Sequence, residues 1–155
     1  MRPQRRGRSI AMTIDEINAF LADERTCRVA TVTASGRPHV APLWFVWDQT
    51  HLWLYSIVKS QRWTDLTRNP NIAVVIDAGT DYRELRGVEI HGQAVIVGEV
   101  PRADAQDPVL RLPELLFARK YFGTDQFLAD RQHAWLRITP DKLTSWNFTK
   151  LTNST

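Results

Sequence analysis

The sequence predicts a mainly β domain of the α+β kind: an antiparallel β-barrel with peripheral helices. Three observations lead there. Apolar segments of strand length, rich in β-branched and aromatic residues, recur along the chain. The connections between them are too short for parallel crossovers. One of them, HVAPLWFVWD, is apolar on both faces, with Leu43, Phe45 and Trp47 on one and Trp44 and Val46 on the other. A strand in a free-standing sheet would show a polar face. Burial on both sides implies a closed wall covered from outside, and a second subunit is the economical cover.

The elements follow in order. Thr13-Ile14-Asp15-Glu16 is a capping-box pattern, and Ile14, Ile17 and Leu21 form an apolar face with Phe20 alongside, which predicts a helix over 14–24. CRVATVT reads as a first strand, and Ser35-Gly36-Arg37-Pro38 as a tight turn. HVAPLWFVWD is the second strand. Pro42 cannot donate to a ladder, which puts it at an edge or bulge, where backbone can face a ligand. Asp48-Gln49-Thr50 turns the chain into HLWLYSIV, the third strand. Pro70 stops a short helical segment, and NIAVVIDAG is the fourth strand. Residues 80–87 are a charged connection. VEIHGQAVIVGE is the fifth strand, with Gly92 as a bulge or close-approach point. Residues 101–132 suggest one or two helices. HAWLRITP and KLTSWNFT read as a closing hairpin, for six or seven strands in all.

A chain of 155 residues suits one domain with a real core. No apolar run approaches the roughly 20 residues of a membrane span, and a single cysteine, Cys27, excludes an internal disulfide. A reducing, cytoplasmic setting is expected. The net charge of +3 comes from Arg2, Arg5, Arg6 and Arg8; without them, 16 of the 20 basic residues remain against 17 acidic ones. Residues 1–11 are therefore expected to be a disordered basic extension, or to precede a start at Met12, with 12–155 the folded unit. A nucleic-acid role would rest on that extension alone, and neither nucleic acid nor membrane is an expected partner. No GxGxxG, GxxxxGK[ST] or HExxH pattern occurs, and the four histidines are scattered, so neither a dinucleotide fingerprint nor a metal site is expected.

The stretch with the most chemistry is 51–70. A strand opens into Lys59-Ser60-Gln61-Arg62 and then a helix. Bare amides at a helix N-terminus favour anions, and Lys59, Arg62 and the Ser60 hydroxyl would add donors. This predicts a phosphate seat; the alternative is a solvated turn with two exposed cations. Six tryptophans in the chain supply flat apolar walls for a ring. Most are expected in the core or an interface. Trp146 and Lys150, near the chain's end, are candidates to face the site in their own subunit or its partner.

SGRPHVAPLWFVWD, LWLYSIVKSQRWTDLTRNPNIAVVID, RGVEIHGQAVIVGE and TSWNFTKL together resemble the pyridoxamine 5'-phosphate oxidase-like split barrels. The nearest branch by resemblance is the actinobacterial group that uses the deazaflavin coenzyme F420. The resemblance runs from about residue 13 to 150. It implies a homodimer of six-stranded split barrels with cofactor sites at the subunit interface. By the same resemblance, His39, Pro42, Leu43 and Trp44 would lie along the ring. Tyr55, Ser56, Lys59, Ser60, Gln61 and Arg62 would take the phosphate side, and Arg37 is a further cation for an acidic tail. True pyridoxamine phosphate oxidases carry basic residues where this chain has His39 and Trp44, which disfavours FMN and a vitamin B6 role. The implied activity is hydride transfer from reduced F420 to a small electron-poor substrate. The alternatives are an FMN flavoprotein of the same fold and a barrel that only carries a cofactor. No catalytic residue is assigned; Tyr55, His39 and His91 are candidate proton donors, and solvent could serve instead. The substrate pocket is expected between residues 80–87 and 101–132.

Overall fold

The computed structural model describes residues 1–2, 4 and 7–153. Six strands close a barrel in the order β1-β2-β3-β6-β5-β4, with β1 (Thr26–Val32), β2 (Pro38–Trp47), β3 (Leu52–Ile57), β4 (Asn71–Ala78), β5 (Arg86–Val97) and β6 (His133–Asn147). Every pairing is antiparallel, including β1 with β4, which shuts the barrel. The helices are α1 (Ile14–Asp23), α2 (Gln61–Arg68) and α3 (Arg111–Phe122). None is long and apolar enough to cross a membrane among the described residues.

The capping box forms as expected. The Thr13 hydroxyl accepts from Glu16 N–H, and the Glu16 carboxylate accepts from Thr13 N–H. α1 then buries Ile17, Phe20 and Leu21 on the barrel, each such side chain contributing about 1.5–3 kcal/mol. Inside the barrel, Cys27, Val29, Phe45, Leu54, Ile76, Val88, Ile90 and Ile138 form the core. A second cluster lies outside the wall: Val46, Trp53 and Trp135 pack under Phe117 and Tyr121 of α3. The outer cover of β2 is thus supplied in part by the chain's own helix, where a second subunit had been the expectation.

The closing hairpin is instead one strand of 15 residues. Pro140 does not end it, because it lies opposite Gly92, where the β5–β6 register shifts and the ladder can spare a donor. The expected irregularity at Gly92 is that shift. A Cβ there would lie 2.7 Å from the Thr139 carbonyl oxygen, so only glycine fits. Of the basic extension, Arg5 and Arg6 lie outside the described residues. Gln4 exchanges hydrogen bonds with the Ser145 backbone, and Arg8–Ile10 form a 3-10 turn.

Candidate functional site

β2 and β3 pair only at Phe45–Trp47 with Leu52–Leu54, whereas β2 pairs with β1 along Pro38–Trp44. Beyond Phe45 the wall is open on one side. The Phe45 backbone turns toward β1, where the Tyr121 hydroxyl lies 3.0 Å from its N, 2.9 Å from its O and 2.7 Å from the Arg25 carbonyl. By strand alternation, the backbone groups of Val40, Pro42 and Trp44 face the seam. Pro42 therefore sits on an edge with its missing donor toward the gap, as expected of it.

A cavity of about 340 Å3 occupies this seam. Pro42, Leu43 and Trp44 form one lip and Tyr55, Ile57 and His133 the other, with Arg62 between them. Phe117 and Phe122 of α3, then Leu128 and Asp130 of the following loop, cover it. Trp44 stacks on Tyr121 at 4.2 Å and 8° yet stays 43% exposed. The walls suit a flat ring.

Arg62 is the one cation lining this cavity, and it is only 8% exposed. Its Nε donates to the Ser56 hydroxyl at 3.1 Å. Among the described residues, no carboxylate lies within ion-pair distance of it. Burial lowers its pKa from the usual guanidinium value, and the Cys27 sulfur offsets that only in part. Ser60 caps α2 by accepting from Trp63 N–H at 3.1 Å. Its hydroxyl proton remains available, and the Gln61 and Arg62 amides are the open donors of that turn.

The opposite lip holds a polar cluster. The Tyr55 hydroxyl donates to Asp130 Oδ1 at 3.3 Å, and the same oxygen accepts the Gln132 and His133 amides at 2.9 and 3.0 Å. His133 Nδ1 lies 2.5 Å from Asp130 Oδ2. Burial pushes the Asp130 carboxyl up, but these amides and the His133 ring outweigh it and hold it below its ordinary value. Burial raises the Tyr55 phenol well above its ordinary value, so it is a poor proton donor.

Of the expected site residues, the fold brings Pro42, Leu43, Trp44, Tyr55 and Arg62 to one cavity. Ser56 lies directly behind Arg62. Lys59 is exposed on the adjoining turn. Gln61 is turned away, donating to Asp65 Oδ1 at 2.7 Å. His39 lies 3.9 Å from the same buried carboxylate. His91 contacts Glu89 at 2.6 Å. Trp146 pairs with Gly87, and Lys150 Nζ bonds Glu16 at 2.6 Å and the Ala11 carbonyl at 2.8 Å; neither lines the cavity of its own chain. Of the two segments expected around a substrate, 101–132 supply part of this cavity's lining and 80–87 do not. Phe117, Phe122, Leu128, Asp130 and His133 were not singled out by sequence. The helix itself was expected within 101–132 and is α3; nothing local marks the loop.

The family model of pyridoxamine 5'-phosphate oxidase matches residues 13–147. No curated protein matches the sequence. Among solved structures, the chain is similar to the conserved hypothetical protein Rv2991 from Mycobacterium tuberculosis. The two are 27% identical, over 96% of this chain and 93% of that one, with a TM-score of 0.81. An F420 reductase is 21% identical, over 81% and 94% of the two chains, with a TM-score of 0.59. HutZ, the heme storage protein from Vibrio cholerae, is 18% identical, over 88% and 98%, with a TM-score of 0.66. The last two likenesses are of fold.

Proposed function

Because the chain belongs to the pyridoxamine 5'-phosphate oxidase family, we propose that it is an F420-dependent reductase acting on a small electron-poor substrate. The observation that supports this best is Arg62: a buried guanidinium with no carboxylate at ion-pair distance among the described residues, lining an aromatic-walled cavity. Burying a charge unpaired is costly, and a bound anion relieves that cost. The residues present fit a coenzyme with an acidic arm. Arg62, Lys59, the Ser60 hydroxyl and the first amides of α2 would hold the arm. Trp44, Tyr55 and the seam-facing backbone of Pro42 and Trp44 would hold the ring. When bound, a deazaflavin supplies the hydride. The chain's part is to orient ring and substrate together and to keep water out beneath α3.

The second reading is FMN in the same seat, since its phosphate meets the same donors. What disfavours it is that β2 adds no second cation: His39 is committed toward Asp65, and Trp44 stacks on Tyr121. The rim of the cavity is apolar and open, with Leu128 75% and Phe122 66% exposed. A homodimer burying that rim is the assembly we infer. In it, Trp146 would reach the site from the partner subunit, whereas Lys150 is held by Glu16 and the Ala11 carbonyl of its own chain.

Titration calorimetry with F420 and FMN side by side tests the reading. F420 should bind more tightly. Arg62→Ala should weaken it about 10- to 100-fold, the worth of a charge-assisted hydrogen bond or two. An affinity unchanged by that substitution would remove Arg62 from the site.

A further inference from the structure

A second cavity, of about 370 Å3, also lies against α3 and shares no lining residue with the seam. Leu116, Arg119 and Lys120 of α3, spaced three and four residues apart, reach it together. Val46 and Trp47 of β2 add an apolar wall, and Arg25 comes from the turn between α1 and β1. Lys120 is half-buried, with Nζ 3.9 Å from the centroid of the Phe45 ring. It donates at 3.0 Å to the carbonyl of Leu21, another lining residue and one of the last carbonyls of α1. Among the described residues, no carboxylate lies within ion-pair distance of it. Burial pulls its pKa down to about 8; the Cys27 sulfur opposes this, Arg25 adds to it, and Glu24 and Asp23 oppose it.

We propose that Lys120 is a modification site, a nucleophilic amine acylated by small acyl phosphates that dock in this cavity. Arg25 and Arg119 hold the phosphate end. Both are exposed; Arg25 gives one N–H to the Lys120 carbonyl at 3.1 Å, and the Arg119–Asp125 pair is open to solvent, so each has donors left for an anion. Asp23 is the one carboxylate that lines the cavity against these three cations. The neutral amine still donates a hydrogen to the Leu21 carbonyl and has its lone pair free. That pair attacks the acyl carbon. The C–N bond forms, the C–O bond to phosphate breaks, phosphate leaves with the bonding electrons, and the nitrogen gives up one proton to water. Nothing is oxidised or reduced. The amide keeps an N–H for the Leu21 carbonyl and lays its alkyl group on Val46, Trp47 and Leu116, while the cation over the Phe45 ring is lost. Acylation needs no coenzyme and proceeds whatever the seam binds.

The charged and titratable groups around Lys120 are Asp23 and Glu24 at the end of α1, Arg25 and Cys27 after it, and Arg119 and Tyr121 on its own helix. β2 presents Phe45 and Trp47, which carry no charge.

The chain's four lysines, Lys59, Lys120, Lys142 and Lys150, compete within one sample. The full chain is incubated with acetyl phosphate at about pH 8, and its peptides are followed by mass spectrometry. At that pH an ordinary lysine is under about 1% neutral, whereas Lys120 is neutral in a large fraction of molecules. Lys120 should gain acetyl about tenfold faster than the exposed Lys142. Its rate should climb with pH and level off above about pH 9, since the neutral fraction saturates above the pKa. Equal rates at Lys120 and Lys142 would sink the proposal. Excess inorganic phosphate should slow Lys120 and leave Lys142 unchanged; an unprotected Lys120 would overturn docking through Arg25 and Arg119. In concentrated urea the preference should vanish, because the burial that holds the amine neutral goes with the fold. A preference that survives there would belong to the local sequence and not to the cavity, and would also overturn the assignment.

Discussion

A guanidinium kept out of water without a counter-charge weakens the fold that holds it. Arg62 is in that position, so removing its charge and keeping its apolar bulk should not harm the ligand-free protein. Arg62→Met is expected to leave Tm equal or higher in thermal unfolding while weakening coenzyme binding. A core role would give the reverse. Asp48 behaves oppositely. Its carboxylate accepts from the Thr50 and His51 amides at 2.9 and 2.6 Å and from Trp53 Nε1 at 2.7 Å, closing the β2–β3 turn. Burial pushes its pKa up, but those donors outweigh it and the net shift is downward. A folded pKa below the unfolded one means stability that is present above about pH 4. That contribution is lost as pH falls through the folded pKa. Asp48→Ala should cost about 1–3 kcal/mol near neutrality in urea unfolding, and the deficit should shrink in acid. At this scale the sequence singled out Arg62 as one of the cations at the 59–62 turn, and the structure puts it on the cavity wall at the start of α2. Asp130 and His133 were not readable. Their meeting with Tyr55 depends on how residues 124–132 fold back over β3, which no periodicity encodes.

α3 joins the barrel through one hydroxyl as well as through its apolar face. Tyr121→Phe would leave the Phe45 amide and the Arg25 carbonyl without that partner, at a cost of about 1–2 kcal/mol. It should also loosen the cover of the cavity, giving weaker coenzyme binding by calorimetry. Gly92→Ala should destabilise by about 1–3 kcal/mol in urea unfolding, because the atom it would strike is the Thr139 backbone oxygen. Most elements were legible because two periods suffice to find them: 3.6 with a capping box for α1, and 2 with turn residues for the first five strands. The last strand was misread as a hairpin. Pro140 and Asp141 look like a turn in isolation, and only the register shift opposite Gly92 lets them remain in a ladder.

The whole molecule was read correctly as a closed antiparallel barrel, and its outer cover only in part. An apolar outer face announces that something lies on it, not what. For Val46 that is α3. For Val40, Ile57, Phe122 and Leu128, all exposed, we expect a second copy of the chain. Sedimentation velocity should show a dimer, and Leu128→Lys with Phe122→Lys should shift it toward monomer. A wild-type monomer at micromolar concentration would leave that rim uncovered.

The short pairing of β2 with β3 has a further consequence. Amides that no neighbouring strand holds trade their hydrogen for deuterium quickly in heavy water. Val40 and Trp44 should exchange far faster than Val29 or Val74, which lie between two strands. A coenzyme lying along the gap would slow Trp44 first, so mass spectrometry of one short peptide could register occupancy before any substrate is known.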